Sequence, residues 1–230
     1  MEKQLAIIVD KISAAIDVAE NIKLCLNDKD LGAPKNLSKE NIERISRLNS
    51  IQISSSTKRI SFDKMFLLNS LVDNTTKLLQ IGTRRGSELI SAIFKNLPEE
   101  VIAIDDFGGK IFSDDIKKIF INNCKLNDIN FSYNSNHTLI EKHYLNLGLE
   151  KESIKKINLF FNFGESSYSI NKQLIPYYYD CLDNTFTFVT DFWNKPSASE
   201  ALQISIKQCN LNLIKDWHMS NGVYIATFEK

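Results

Sequence analysis

The sequence is poor in the residues that mark several functional classes. It has four cysteines, Cys25, Cys124, Cys181 and Cys209, and no two of them form a Cys-x-x-Cys pair. That excludes a readable zinc or disulfide framework and predicts reduced, buried thiols in a cytoplasmic compartment. There is no basic excess. Lys plus Arg and Asp plus Glu both number 28, so charge advertises neither nucleic acid nor an anionic membrane as a partner. No apolar run approaches the ~20 residues of a membrane span, and Leu5 to Val9 is too short and too acidic in its flanks for a signal peptide. Internal repeats and long low-complexity tracts are also lacking. What remains is an ordinary globular composition, 43% hydrophobic and 24% charged over 230 residues. That length suits one domain with a small extension, able to bury about 70% of its unfolded surface.

The informative stretch runs from Lys77 to Phe107. Lys77 to Ile81 is a short apolar strand after the turn signal Asp73-Asn74-Thr75-Thr76. Gly82-Thr83-Arg84-Arg85-Gly86 follows, then Ser87 to Leu97 with Leu89, Ile90, Ile93, Phe94 and Leu97 at helical spacing, stopped by Pro98. Val101 to Ile104 is a second strand ending in Asp105-Asp106. This is a right-handed βαβ unit. Its glycine turn lies where a helix start offers amides to an anion. Its acid lies at a strand tip, where a carboxylate accepts bonds from both hydroxyls of a ribose. A nicotinamide dinucleotide site wants Gly-x-Gly-x-x-Gly, but Arg84 fills the second glycine position. S-adenosylmethionine has no pyrophosphate and tolerates the looser turn. A plain crossover with a capping glycine is the remaining reading.

Around this unit, residues 2–27 read as one helix with Leu5, Val9, Ile12, Ile16, Ala19, Ile22 and Leu26 in a stripe. Ser38 caps a second helix to Leu48, and Ser61 caps a third. Residues 1–60 form a helical extension, a lid or an oligomer contact, and 61–230 form the main domain. The serine-rich Ser50 to Ser61 is a loop or flap. Helix is expected over Ser113 to Leu126, strand over Ile129 to Tyr133, helix over Thr138 to Leu145, and strand over Ile157 to Phe161. Tyr168 to Leu182 is a helix kinked at Pro176, Thr185 to Val189 a strand, and Ser197 to Cys209 a helix. A hairpin through Asn221-Gly222 ends the chain. Alternating strands and helices predict an α/β fold: a Rossmann-like, mostly parallel sheet with helices on both faces and a C-terminal antiparallel hairpin. Ligands bind beyond the C-terminal strand ends. The polar residues at those ends are Gly82 to Gly86, Asp105 to Phe107, Asn134 to His137, Asn162 to Ser167 and Thr190 to Trp193. Phe107 offers a face to an adenine, and Tyr177-Tyr178-Tyr179 and Trp193 read as core or acceptor-pocket aromatics.

From about Ser61 to Lys230 the chain resembles the class I S-adenosylmethionine-dependent methyltransferases, whose last strand runs antiparallel into a seven-stranded sheet. It is most similar to the small-molecule and sugar O-methyltransferases. Ile81-Gly82-Thr83-Arg84-Arg85-Gly86 matches their Ile-Gly-Thr-x-x-Gly signature. Phe163-Gly164-Glu165-Ser166-Ser167-Tyr168 aligns in register with their Asp-Gly-x-His-Ser-Tyr, and Thr190-Asp191 with their Asp-Asp. The resemblance implies S-adenosylmethionine as cofactor, held by Gly82, Thr83, Arg84, Gly86, Asp105, Asp106, Phe107, Asn136, Asn162 and Gly164. It implies a small-molecule or sugar acceptor, with Asp191, Glu165 and His137 as acid or base candidates. No metal is expected, because Phe163, Ser166 and Thr190 replace the carboxylates and histidine of the pattern, and Gln80 replaces its leading glutamate. A metal-independent enzyme is the first reading. A degenerate methyltransferase fold serving as a binding or scaffold subunit is the second, and a nicotinamide enzyme the third.

Overall fold

The computed structural model describes residues 2–27, 34, 37–54, 60–108, 113–131 and 136–230. Residues 55–59 of the serine-rich stretch lie outside that set, as do residues 132–135, which include Asn134 and Ser135 of the expected third strand tip. The chain forms two compact units. One comprises residues 1–75, 85–98 and 117–130; the other comprises 76–84, 99–116 and 131–230.

The first unit is helical. Helix α1 (Glu2–Asn27) spans about 39 Å at ~1.5 Å per residue, and it packs on α3 (Phe62–Leu71). Its buried stripe is Ile12, Ala15, Ala19 and Ile22, whereas Leu26 at the end of the expected stripe is 59% exposed. Helix α2 (Lys39–Leu48) starts as expected, with the Ser38 hydroxyl accepting from the Asn41 amide at 3.2 Å. Helix α4 (Ser87–Ile93) stops four residues short of the expected Leu97. The buried side chain of Asn69 explains the stop. Its amide donates to the carbonyls of Ser91, Ala92 and Phe94 at 2.8, 3.3 and 3.1 Å, and Lys95 then turns left-handed at φ 54.

Lys11 of α1 forms an ion pair with Asp73 at the turn after α3. Burial alone would raise the Asp73 carboxyl, but bonds from Lys11 and from Thr75 outweigh it and bring the pKa down to about 2. A depressed acid stabilises the fold above its unfolded pKa and loses that contribution as pH falls toward the folded value. Both partners are more than a third exposed, so the contribution is below ~1 kcal/mol. Asp73→Asn is expected to lower the urea midpoint slightly at pH 6. The gap from the wild type should close between about pH 4 and pH 2, which parallel denaturation curves would record.

The second unit holds a seven-stranded sheet in the order β3-β2-β1-β4-β5-β7-β6. The strands are β1 (Lys77–Ile81), β2 (Glu100–Ile104), β3 (His137–Ile140), β4 (Ile157–Asn162), β5 (Leu182–Thr190), β6 (Asn212–His218) and β7 (Tyr224–Glu229). All neighbours among β1 to β5 are parallel, and β7 runs antiparallel between β5 and β6. One face is covered by α7 (Tyr168–Tyr178) and α8 (Pro196–Gln208). There Phe160 meets Phe188 and Tyr178 edge-on at centroid distances of 5.3 and 5.4 Å. Pro176 falls within the last turn of α7, which tightens into a 3₁₀ turn over Tyr179–Cys181. A four-residue α6 (Glu150–Ser153) precedes β4.

The third strand is a correction. Strand was expected over Ile129 to Tyr133 and helix over Thr138 to Leu145, but β3 is His137–Ile140 and no helix follows it directly. Ile129 is spent on ending α5 (Ser113–Leu126). Its amide donates to Cys124 O at 2.9 Å, Asp128 N donates to Lys125 O at 3.2 Å, and Asp128 is left-handed at φ 56. That is a Schellman closure, with Ile129 and Cys124 both buried beside it.

Candidate functional site

Sheet register places the candidates. Ile140, Ile104, Ile81, Asn162 and Thr190 form one row across the tips of β3, β2, β1, β4 and β5, so Glu141, Asp105, Gly82, Phe163 and Asp191 come next. Gly82, Asp105, Asn162, Gly164, Glu165 and Asp191 therefore share the C-terminal edge of the sheet. Asn136 and His137 do not. They were expected at this edge, but His137 pairs with Val101 at the start of β2, and Asn136 O accepts from Val101 N at 2.8 Å. Both sit at the opposite edge, because the strand they were expected to follow begins at His137.

The centre of the edge is a backbone crossing. Gly82 has φ 73 and donates its amide to Ile104 O at 2.9 Å, while Phe163 N donates to Ile81 O at 3.1 Å. A Cβ at Gly82 would lie 2.0 Å from Gly164 Cα. No side chain fits, so the β1 and β4 tips touch backbone to backbone. Gly86 belongs to the helical unit. There it caps α4 at φ 91, and a Cβ would press on Ile90 and Phe120 at 3.0 Å.

The turn is fastened from β2. Asp105 is 6% exposed. Its Oδ2 accepts from Arg84 N at 2.6 Å and from the buried Thr83 hydroxyl at 3.4 Å, and its Oδ1 accepts from Phe107 N at 2.5 Å. Burial pushes its carboxyl pKa up, and the two amides offset that in part. Phe107 is buried at 3% and left-handed at φ 53, so its ring is packed away rather than presented as an adenine platform. Asp106 is exposed, and its Oδ1 accepts from Gly108 N at 3.0 Å. The Arg84 guanidinium, also exposed, reaches across to Gly164 O at 2.7 Å.

Sequence reading missed the tip of β3. Tyr144, buried at 6%, donates its hydroxyl to Glu165 Oε2 at 3.0 Å, and its carbonyl accepts the Tyr178 hydroxyl. His143 stacks on it at 4.6 Å, in a loop rather than mid-helix. The Tyr144 hydroxyl pKa is pushed well above its usual range by burial, then by Glu165, and then by Asp106 and Asp105. Correct placement of β3 was the signal that would have found this residue. Two fully buried amides flank the centre: neither Nε2 nor Oε1 of Gln80 has a partner among the described residues, nor has Asn162 Oδ1. Asn162 Nδ2 is bonded to Asn171 Oδ1 at 2.9 Å. At the β5 tip the Thr190 hydroxyl accepts from Phe192 N at 3.3 Å, and Lys195 donates to the Ser166 hydroxyl at 2.7 Å. Trp193 is spent on stacking, with its ring 3.8 Å from that of Tyr224. No group of three metal-ligating side chains occurs among the described residues. No described helix is long and apolar enough to cross a membrane.

No family model matches the sequence, and no curated protein does. Solved structures do match. A putative O-methyltransferase from Klebsiella pneumoniae superposes with TM-score 0.55 at 13% identity, over 92% of this chain and 96% of that one. The ribosomal protein L11 methylase from Lactobacillus delbrueckii subsp. bulgaricus gives 0.52 at 16%, over 78% and 84%. M. capricolum TrmK, in complex with its natural cofactor product S-adenosyl-homocysteine, gives 0.51 at 13%, over 75% and 70%. These likenesses establish the fold, a Rossmann-like seven-stranded sheet of the methyltransferase type.

Proposed function

We propose that the chain binds S-adenosylmethionine at the C-terminal edge of its sheet and transfers the methyl group to a small-molecule or sugar acceptor without a metal. The observation that carries the reading is the chemistry of the edge around Gly82. A pyrophosphate needs free amides and positive charge. Here the amides of Gly82 and Arg84 are already donated to Ile104 O and Asp105. The tips of β2, β4 and β5 carry Asp105, Asp106, Glu165 and Asp191. Such an edge opposes a dinucleotide and suits a sulfonium with an ammonium beside it. The unpartnered Gln80 amide next to the turn also fits a ligand rich in hydrogen-bonding groups. The exposed Arg84 guanidinium, beside Gly82 and Thr83, would meet the carboxylate of the amino-acid end, the β2 acids the ribose, and Asn162 and Gly164 the floor. S-adenosylmethionine supplies an already activated methyl group when bound. The protein's part is orientation, which can supply roughly 7–11 kcal/mol of a barrier. The nearby Glu165 and Asp191 are the acid or base candidates.

Support for a small acceptor comes from the charge balance, since the acidic edge repels a polyanion. The solved relatives divide on this point, one being named for a ribosomal protein and another as an O-methyltransferase. Incubation with methyl-labelled donor and separate pools of small metabolites, RNA and protein tests it. Label in the small-molecule pool is expected, and label confined to RNA or protein would contradict it.

A second reading has one observation in its favour. Phe163, at the position where the resembled pattern has an aspartate, is 3% exposed and offers no oxygen. A degenerate subunit that keeps donor binding and recruits partners through residues 1–60 would bind S-adenosylhomocysteine yet label no pool.

A further inference from the structure

We infer that the helical unit carries a second site, a hollow between α2 and the left-handed turn after α4, which binds the phosphate group of a small ligand. The hollow measures about 330 Å³, within the ~300–1,000 Å³ range of small-molecule sites. Every residue that lines it belongs to the helical unit, so the site is independent of the sheet edge and of the donor proposed there. Its charged lining is Glu40, Glu43, Asp73, Arg44, Arg47 and Lys95. The signs balance by number but not by pairing. Glu40 bonds Arg44 at 2.8 Å, Glu43 lies 3.9 Å from the Lys39 ammonium, and Asp73 pairs with Lys11. Lys39 and Lys11 come from outside the lining, which leaves Arg47 and Lys95 with no carboxylate partner among the described residues.

Arg47 is half-buried, and burial together with the Arg44 charge outweighs Glu40 and Glu43 and lowers its pKa. A cation in that position gains from an anion beside it. Its Nη2 donates to Asn69 Oδ1 at 3.0 Å and to Asn96 Oδ1 at 3.4 Å, which fixes the guanidinium and leaves Nη1 without a partner among the described residues. The turn beside it is also set in advance. Asn96 Nδ2 donates to Asn69 O and Ala92 O at 2.9 Å each, and Lys95 is left-handed at φ 54. The exposed side chain of Asn74, likewise without a described partner, supplies a further amide donor. Two uncompensated cations match a group that carries about −1.5 to −2 charge and three acceptor oxygens. A single carboxylate would leave one cation over. The exposed Glu40 and Glu43 oppose a long polyanion, which restricts the site to a small molecule.

The test is thermal melting of the full chain in inorganic phosphate against chloride at matched ionic strength. A ligand that binds only the folded state raises the midpoint. Phosphate should raise it saturably, with half the effect in the millimolar range, and chloride should not. Lys95→Gln, at an exposed position, should keep the chloride midpoint and weaken phosphate about 5-fold, the worth of an exposed ion pair. Lys95→Glu reverses the charge and should abolish the rise. Arg47→Gln should weaken phosphate at least ~10-fold, and Lys95→Glu decides the matter if that variant fails to fold. A rise that survives Lys95→Glu unchanged places the anion elsewhere and overturns the inference. A wild type that melts alike in phosphate and chloride overturns it as well.

Discussion

Gly82→Ala is expected to abolish the folded, ligand-competent state. Two costs add at this position. The residue is left-handed at φ 73, which costs a non-glycine residue ~1–3 kcal/mol. A Cβ would also lie 2.0 Å from Gly164 Cα and 2.2 Å from Gly164 N. Those are backbone atoms of a strand tip and cannot rotate away, so β1 and β4 must part. The sum exceeds ~4 kcal/mol, the range reserved for severe mechanisms. Gly108→Ala is the matched control. Its φ is 84, but nothing lies within 4 Å of its Cβ position, so only the conformational cost of ~1 kcal/mol applies. Thermal melts of the two variants separate strain from collision. Equal midpoints would show that the crossing of Gly82 and Gly164 is not a tight one.

Asn69→Leu is expected to be the most damaging change in the helical unit. The shape is nearly conserved, but every side-chain hydrogen bond of the residue is lost. Asn69 is 0% exposed, and its amide nitrogen serves three carbonyls at the end of α4. Its Oδ1 accepts from Arg44 at 3.2 Å and from Arg47 at 3.0 Å. Both arginines come from α2, and burial with the nearby Arg44 charge already lowers the Arg47 pKa. Removing the shared acceptor turns a leucine toward both guanidiniums, with Arg44 still held by Asn69 O and by Glu40 at 2.8 Å each. Unsatisfied buried groups cost ~1–3 kcal/mol each, so a loss of ~3–5 kcal/mol follows. That is roughly a 10 °C fall in midpoint for a chain of this size. Asn69→Asp, which keeps the acceptor for the arginines but not the donor, should fall between the wild type and the leucine variant.

Where local pattern and pairing agreed, the sequence was enough. Strand β1 and helix α5 have the boundaries that their apolar spacing predicts, as does α1. The third strand failed because its residues look alike in both registers. Ile129-Asn130-Phe131 alternates as a strand should, yet Ile129 closes a helix, and only pairing of His137 with Val101 reveals the strand. That one slip took Asn136 and His137 to the wrong edge and hid Tyr144. The glycine turn was legible because Gly82 and Gly86 mark backbone geometry directly. The fate of Asp105 was not, since nothing in Ile-Asp-Asp-Phe says which carboxylate folds inward. Asn69 was invisible for a similar reason. One asparagine inside a helix usually faces solvent, and the five partners of its side chain all lie 22 to 25 residues away, two on α2 and three at the end of α4.

The most direct test of the donor assignment is calorimetric titration of the full chain with S-adenosylmethionine, S-adenosylhomocysteine and NAD, each with and without Mg²⁺. The account predicts micromolar binding of the first two, unaffected by Mg²⁺, and none of NAD. Binding of NAD with no response to S-adenosylhomocysteine would contradict it, and so would silence toward all three.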